Sequence, residues 1–357
     1  MNFDQSPFLV IWEVTEACDL ACLHCRASAL PRRHPLELST QEGFDLLAQI
    51  RGMGDPLVVF TGGDPLKRPD LFELLRQSVG LGLRTTVTPS ATPLLTSEAI
   101  RRFKESGVAR MAVSLDGPDE ILHDSFRQVQ GSFRRTLMAL HEAHKIGLQT
   151  QVNTTVTRHN RWRLEEVAGI VEAVGAKLWS VFFLVVTGRA TETQDLTAEE
   201  YEDVFGLLYR LSKRVPFDIK TTEAQHYRRF VAQMRKAESG LRSQSAGSDG
   251  IRRQAGINDG KGFLFVSHTG EIYPSGFLPI AAGNVRRDSL AEVYRRSKLF
   301  LKLRDTDQLE GKCGECEYRK LCGGSRSRAF ALTGNYMASD PRCVYQPLPV
   351  RESTAAL

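Results

Sequence analysis

Apolar runs and helical spacings alternate along the first two-thirds of the chain. Short stretches rich in Val, Leu, Phe and Thr at 8–14, 57–60, 83–87, 110–115, 148–156 and 178–186 predict strands. Between them, apolar residues recur at helical spacing over 41–51, 70–79, 97–105, 133–145 and 163–174. Ser39 with Glu42, and Thr197 with Glu200, have the spacing of capping boxes and mark helix starts. Gly80, Gly107, Gly147 and Gly175 stand where helices should stop. Six strand-helix alternations predict an α/β fold, a parallel sheet with right-handed crossovers. Its expected form is a partial (β/α)6 TIM-like barrel with its chemistry at the C-terminal ends of the strands.

From 235 to 261 the pattern gives way to Ser, Gly and charge, the composition of a flexible linker or of a loop ordered by ligand. Beyond it, 263–274 reads as a hairpin turning near Thr269-Gly270, followed by a short helix over 289–296. The expected division is a barrel over 1–215, a connecting segment over 216–260, a small C-terminal domain over 261–347 and a tail over 348–357. With 357 residues, 41% hydrophobic and 25% charged, the chain has the make-up of a soluble globular protein. Its formal charge of +5 comes from scattered Lys and Arg, which points only weakly to nucleic acid and suits an anionic small substrate equally. The first 17 residues carry Asp4, Glu13 and Glu16 and lack the basic start and apolar core of a secretory signal. No apolar run is long enough to span a bilayer, so a cytoplasmic location is expected.

Cysteine placement adds chemistry. The seven cysteines fall as Cys18, Cys22 and Cys25, then Cys313, Cys316, Cys322 and Cys343. An odd number in two tight groups is a poor disulfide framework and a good metal-ligand pattern in a reducing compartment. Three thiolates on one loop after the first strand hold three corners of a four-iron cluster and leave the fourth iron open to a small molecule. The competing reading is a zinc or redox-thiol loop, but zinc stays short of a ligand unless His24 or a distant group joins. The four later cysteines can fill every corner of a second four-iron cluster or hold a tetrahedral zinc, and spacing leaves both open.

Cys18-x3-Cys22-x2-Cys25 after the first strand, with Gly62-Gly63-Asp64-Pro65 after the second, resembles the signature of radical S-adenosylmethionine (SAM) enzymes. In that family the open iron of a [4Fe-4S] cluster chelates SAM, and an injected electron splits the sulfonium to give a 5'-deoxyadenosyl radical. The resemblance implies that Gly62 and Gly63 let backbone approach SAM and that Asp64, where Glu is usual, meets its amino group. It further implies Ser114 and Asp116 on the ribose and methionine side, Asn153 as another contact and His24 near the adenine. The C-terminal cysteines resemble the auxiliary-cluster domain called SPASM or twitch. Ser275 stands where that domain usually has a further cysteine, which implies one auxiliary [4Fe-4S] cluster rather than two.

The stretch from Cys313 to Ala329, continuing through Asp340-Pro341-Arg342-Cys343, is similar to enzymes that remodel tetrapyrrole side chains in the alternative haem pathway and on haem d1 precursors. That branch implies oxidative decarboxylation of coproheme propionates to vinyl groups, with the auxiliary cluster as one route for the departing electron. A porphyrin bearing carboxylates suits Arg forks, for which Arg228, Arg229, Arg326 and Arg328 are candidates beside Tyr227, and His226 is a candidate haem-iron ligand. Each is also readable as an ordinary surface residue, and 221–229 as a solvated helix start. Two alternatives stand beside this reading. One is a maturase of a ribosomally made peptide, although a first strand within ten residues of the start leaves no room for the usual leader-binding module. The other is a non-enzymatic, zinc-stabilised scaffold or nucleic-acid adaptor, disfavoured by the lack of a basic, aromatic-interleaved stripe. The expected partners are a tetrapyrrole or peptide substrate and a flavodoxin- or ferredoxin-type reductant, with no membrane and no nucleic acid.

Overall fold

A computed structural model describes residues 2–239 and 256–348. Most of the Ser- and Gly-rich stretch expected as a linker, and nearly all of the expected tail, lie outside the described residues. Seven parallel strands follow one another in space as in sequence: β1 (Leu9–Thr15), β2 (Leu57–Gly62), β3 (Arg84–Val87), β4 (Arg110–Ser114), β5 (Thr150–Val156), β6 (Leu178–Phe183) and β7 (Asp218–Thr222). The helices between them are α1 (Thr40–Gly52), α2 (Leu71–Gly80), α3 (Ser97–Glu105), α4 (Glu120–Arg127), α5 (Ser132–Lys145), α6 (Leu164–Ala173) and α7 (Ala198–Leu211). Both capping boxes form: the Ser39 and Thr197 hydroxyls accept from the backbone N–H of Glu42 and Glu200, and each Glu side chain reaches back.

Strand residues that alternate toward the helices make the core. Val10, Trp12 and Val14 of β1 and Val58 and Phe60 of β2 are buried against Leu46 and Leu47 of α1 and Leu74 and Leu75 of α2. Burial of this apolar layer fixes the strand register and turns the opposite faces, with their polar residues, toward the interior of the curved sheet. After α8 (Tyr227–Ser239), β8 (Phe263–Val266) pairs parallel to β1, and β9 (Glu271–Tyr273) and β10 (Gly283–Asn284) continue antiparallel outside it. One ten-stranded sheet results, with β10 and β7 at its edges, so the barrel stays open. Helices α9 (Leu290–Arg296), α10 (Lys298–Arg304), α11 (Gly311–Glu315) and α12 (Arg326–Thr333) complete the described chain.

The apolar pattern ends the parallel series at a sixth strand, whereas the structure adds β7. Its sequence, Asp-Ile-Lys-Thr-Thr, carries a single aliphatic residue and forms a half-exposed edge, so it leaves little periodic signal. The structure also adds α4, a helix of only eight residues that buries His123 and Phe126.

Candidate active site

Two close backbone approaches shape the cysteine loop. Gly63 N–H donates to Thr15 O at 2.8 Å and Asp64 N–H to Ala17 O at 2.7 Å, locking the loop after β2 against the loop after β1. A Cβ on Gly63 would lie 2.4 Å from the carbonyl oxygens of both Glu16 and Ala17, so no larger residue fits. On the far side, Gly188 after β6 has φ +61°, and a Cβ there would meet Cys25 O and Arg26 O at 2.3 Å. Arg189 then donates from its backbone N to Cys25 O (3.0 Å), from Nε to Cys22 O (2.9 Å) and from Nη1 to Ala29 O (3.2 Å). The loop is therefore clasped from two strand ends.

Cys18, Cys22 and Cys25 line a cavity at the C-terminal ends of the strands, together with Gly62, Gly63, Ser90, Ser114, Asn153 and His24. Each thiol receives a donor. Leu20 N–H points at Cys18 Sγ (3.4 Å), Ala29 N–H at Cys25 Sγ (3.5 Å) and Arg127 Nη1 at Cys22 Sγ (3.5 Å), a donor set that suits thiolates ligating an iron-sulfur cluster. Burial raises the Cys18 thiol above its ordinary range, opposed by the Ser90 hydroxyl and Leu20 N–H. His24 stacks on Phe126 with ring centroids 4.3 Å apart, forming a flat wall of the cavity. Phe182, Phe183, Leu184 and Val185 supply an apolar wall from the end of β6.

Two acidic residues, Asp64 and Asp116, are among the expected contacts. Neither lines the cavity, and both are fully buried. Asp64 accepts from Leu66 N–H (3.2 Å), Ser90 N–H (3.3 Å) and Thr92 Oγ1 (2.7 Å), so its oxygens are spent on holding the loops. Asp116 accepts from Thr155 N–H (2.8 Å) and Arg127 Nε (2.7 Å). The Arg127 that it holds lines the cavity. Arg127 was not among the sequence candidates. It lies on the short α4 and meets Cys22 only in three dimensions, so spacing carries no signal for it.

The four later cysteines line a separate, smaller cavity with His226, Arg229 and Asp340. Gly324 N–H points at Cys322 Sγ (3.3 Å) and Asp340 N–H at Cys313 Sγ (3.4 Å), the same thiolate-supporting pattern. Burial pushes the Cys322 thiol up to about 12, so it ionises readily only beside added positive charge. Among the described residues no three Cys, His, Asp or Glu side chains gather tightly enough to hold a single metal ion.

Most of the expected substrate contacts are spent inside the protein. Tyr227 is core, packed on Phe205, and Arg326 donates to Tyr336 O (3.0 Å) and Ala338 O (2.7 Å). Arg328 meets Tyr201 Oη (3.1 Å), Glu223 O (2.6 Å) and Asp340 (3.5 Å). A buried guanidinium has to be saturated by its surroundings, which leaves these two no free fork. Arg229 pairs with Glu202 at 2.9 Å. His226 is buried between Tyr201 and Phe205, with Nδ1 3.7 Å from Asp340, and faces the smaller cavity rather than the larger one. Burial lowers it to about 3, against the pull of Asp340, so its ring is neutral. Arg228 alone of the four arginines turns into a further cleft beside β7.

A three-thiol loop at the mouth of an open parallel barrel defines the class, and the chain belongs to the radical SAM superfamily, whose pattern matches residues 12–171. It is thus an enzyme of a family that uses SAM and a [4Fe-4S] cluster, which sets aside the non-enzymatic scaffold. The protein named AdoMet-dependent heme synthase of Oleidesulfovibrio alaskensis is 42% identical over 349 residues, covering 96% of this chain and 89% of that one. The protein of the same name from Methanosarcina barkeri is 37% identical over 344 residues, covering 96% and 98%. SuiB of Streptococcus suis, solved with S-adenosylmethionine, superposes with a TM-score of 0.75 at 17% identity, covering 96% of this chain and 78% of that one, a likeness of fold. Among the described residues no helix is long and apolar enough to cross a membrane.

Proposed function

We propose that this enzyme works in haem biosynthesis, converting two propionate side chains of iron coproporphyrin III to vinyl groups by oxidative decarboxylation. The observation that carries the reading is the nearly full-length similarity, at 42% and 37% identity, to two proteins named AdoMet-dependent heme synthase. A cluster held by Cys18, Cys22 and Cys25 would supply the electron that cleaves SAM and so the radical that removes hydrogen from the substrate. The residues around it bind and exclude. Arg127 offers the SAM carboxylate a cation, Ser90, Ser114 and Asn153 offer hydrogen bonds, and the His24–Phe126 stack offers the adenine a flat surface. The apolar end of β6 keeps water from the reacting carbon.

Each propionate loses one hydrogen atom from its β-carbon, then CO2 and one electron, leaving a vinyl group. We assign Cys313, Cys316, Cys322 and Cys343 to an auxiliary [4Fe-4S] cluster that accepts this electron. The four thiols line one cavity, and four thiolates can fill every corner of a four-iron cluster. A flavodoxin or ferredoxin is the expected source of the initiating electron. The test is an anaerobic incubation of the iron-loaded protein with SAM, dithionite and iron coproporphyrin III, following 5'-deoxyadenosine and porphyrin mass. Expected are about eight irons per chain, deoxyadenosine, and a product lacking two carboxyl groups. Replacing Cys18, Cys22 and Cys25 with Ala should abolish deoxyadenosine. Deoxyadenosine formed beside unchanged coproporphyrin would overturn the substrate assignment.

A further inference from the structure

The further cleft opens between the edge strand β7 and the beginnings of β1 and β8. Its walls are apolar at Phe8, Leu9, Ile257 and Phe263. Two cations face it, Lys220 of β7 and Arg228 of α8. Among the described residues Arg228 donates only to backbone carbonyls, Ile257 O at 2.7 Å and Leu321 O at 3.4 Å. Lys220 has no hydrogen-bond or ion-pair partner among the described residues. The carboxyls in the same wall are engaged elsewhere: Glu223 accepts from Ser325 Oγ at 2.6 Å, and Asp259 from Ser327 N–H at 2.7 Å and Oγ at 2.9 Å. Burial and the Coulomb fields of Arg228 and Arg110 bring Lys220 down to about 8, as expected for a cation without a counter-charge.

Register ties this cleft to the thiol-lined cavity. Ser114, Asn153, Ser180 and Lys220 are successive partners across β4, β5, β6 and β7 and therefore point to one face of the sheet. Thr155, Phe182 and Thr222 form the next row on that face. In both rows the β5 member lines the thiol cavity and the β7 member lines the cleft. Asn153 and Lys220 are two strand spacings apart, roughly 10 Å, comparable with the width of a tetrapyrrole macrocycle.

We propose that Lys220 and Arg228 form a carboxylate-binding subsite that holds one propionate of the substrate while another edge of the same macrocycle faces the thiol-lined cavity. An apolar-walled cleft with two uncompensated cations fits an anionic group carried on a large apolar body. The inference rests on the tetrapyrrole reading above. The test is a Soret-band titration of the parent protein, Lys220→Met and Lys220→Arg with iron coproporphyrin III and with its tetramethyl ester. Loss of one charge-assisted contact should weaken coproporphyrin binding about tenfold in Lys220→Met. Lys220→Arg should restore it, and the ester should bind all three proteins alike. Weakening of both ligands to the same extent, or of neither, overturns the subsite. A parent protein that binds neither ligand overturns the tetrapyrrole reading itself, and the subsite with it.

Discussion

At Gly63 one hydrogen atom stands where any other residue would drive a methyl group into two carbonyl oxygens. Those carbonyls belong to the loop that bears Cys18, so the substitution acts directly on the cluster-binding geometry. Gly63→Ala should lose about 1–3 kcal/mol of stability, and its SAM cleavage should fall at least tenfold. Gly80→Ala, where an added Cβ meets nothing within 4 Å at the end of α2, is the control and should lose neither stability nor SAM cleavage. Melting curves and deoxyadenosine yields on the same preparations check both. The cysteines and the glycine pair are legible in the sequence because their chemistry depends on short spacing within one loop. The arginines are not, because a guanidinium's use is decided by its partners. Arg328 is saturated by Tyr201, Glu223 and Asp340, and Arg127 is aimed by Asp116 at Cys22 across 105 positions of chain. Nor does spacing reveal that Thr92 and Ser90, on the next loop, donate to the Asp64 carboxylate.

Among the elements, α1 shows how local and distant signals combine. Its capping box is readable in Ser39 and Glu42, but Glu42 also accepts from Arg286 Nε at 2.6 Å, beyond β10. The Arg286 hydrogen bond, with help from Ser39, lowers Glu42 to about 2. A carboxylate whose folded pKa is depressed contributes stability above its unfolded value near 4.5, and that contribution is lost as pH falls through about 2. Both partners are about one-third exposed, at 35% and 36%, so solvent screening keeps the pair below about 1 kcal/mol. Glu42→Gln should lower the urea midpoint of the metal-free chain slightly at pH 7, with the gap to the parent closing between pH 4.5 and pH 2. A gap that widens on acidification would contradict this linkage. Strand β7 carries the opposite lesson. It joins the sheet by backbone pairing with β6 and offers almost no apolar alternation to announce itself, yet it bears Lys220.

For the whole molecule, the pairing of β8 beside β1 makes the C-terminal segment part of the sheet that carries the cysteine loop. The overall α/β plan is legible because strand-helix alternation restricts topology to a parallel sheet with right-handed crossovers. The parallel union of β8 with β1 is not, since a hairpin signal says nothing of the strand beside which it docks. If the later thiols hold an electron-accepting cluster, replacing Cys313, Cys316, Cys322 and Cys343 with Ala should leave SAM cleavage measurable and reduce vinyl formation at least tenfold. Unchanged product yield in that variant would remove the acceptor role. The central claim concerns which hydrogen is taken. Iron coproporphyrin III deuterated at the propionate β-carbons should transfer one deuterium to 5'-deoxyadenosine for each vinyl group formed. Deoxyadenosine free of deuterium, beside coproporphyrin that retains all four carboxyl groups, would contradict it.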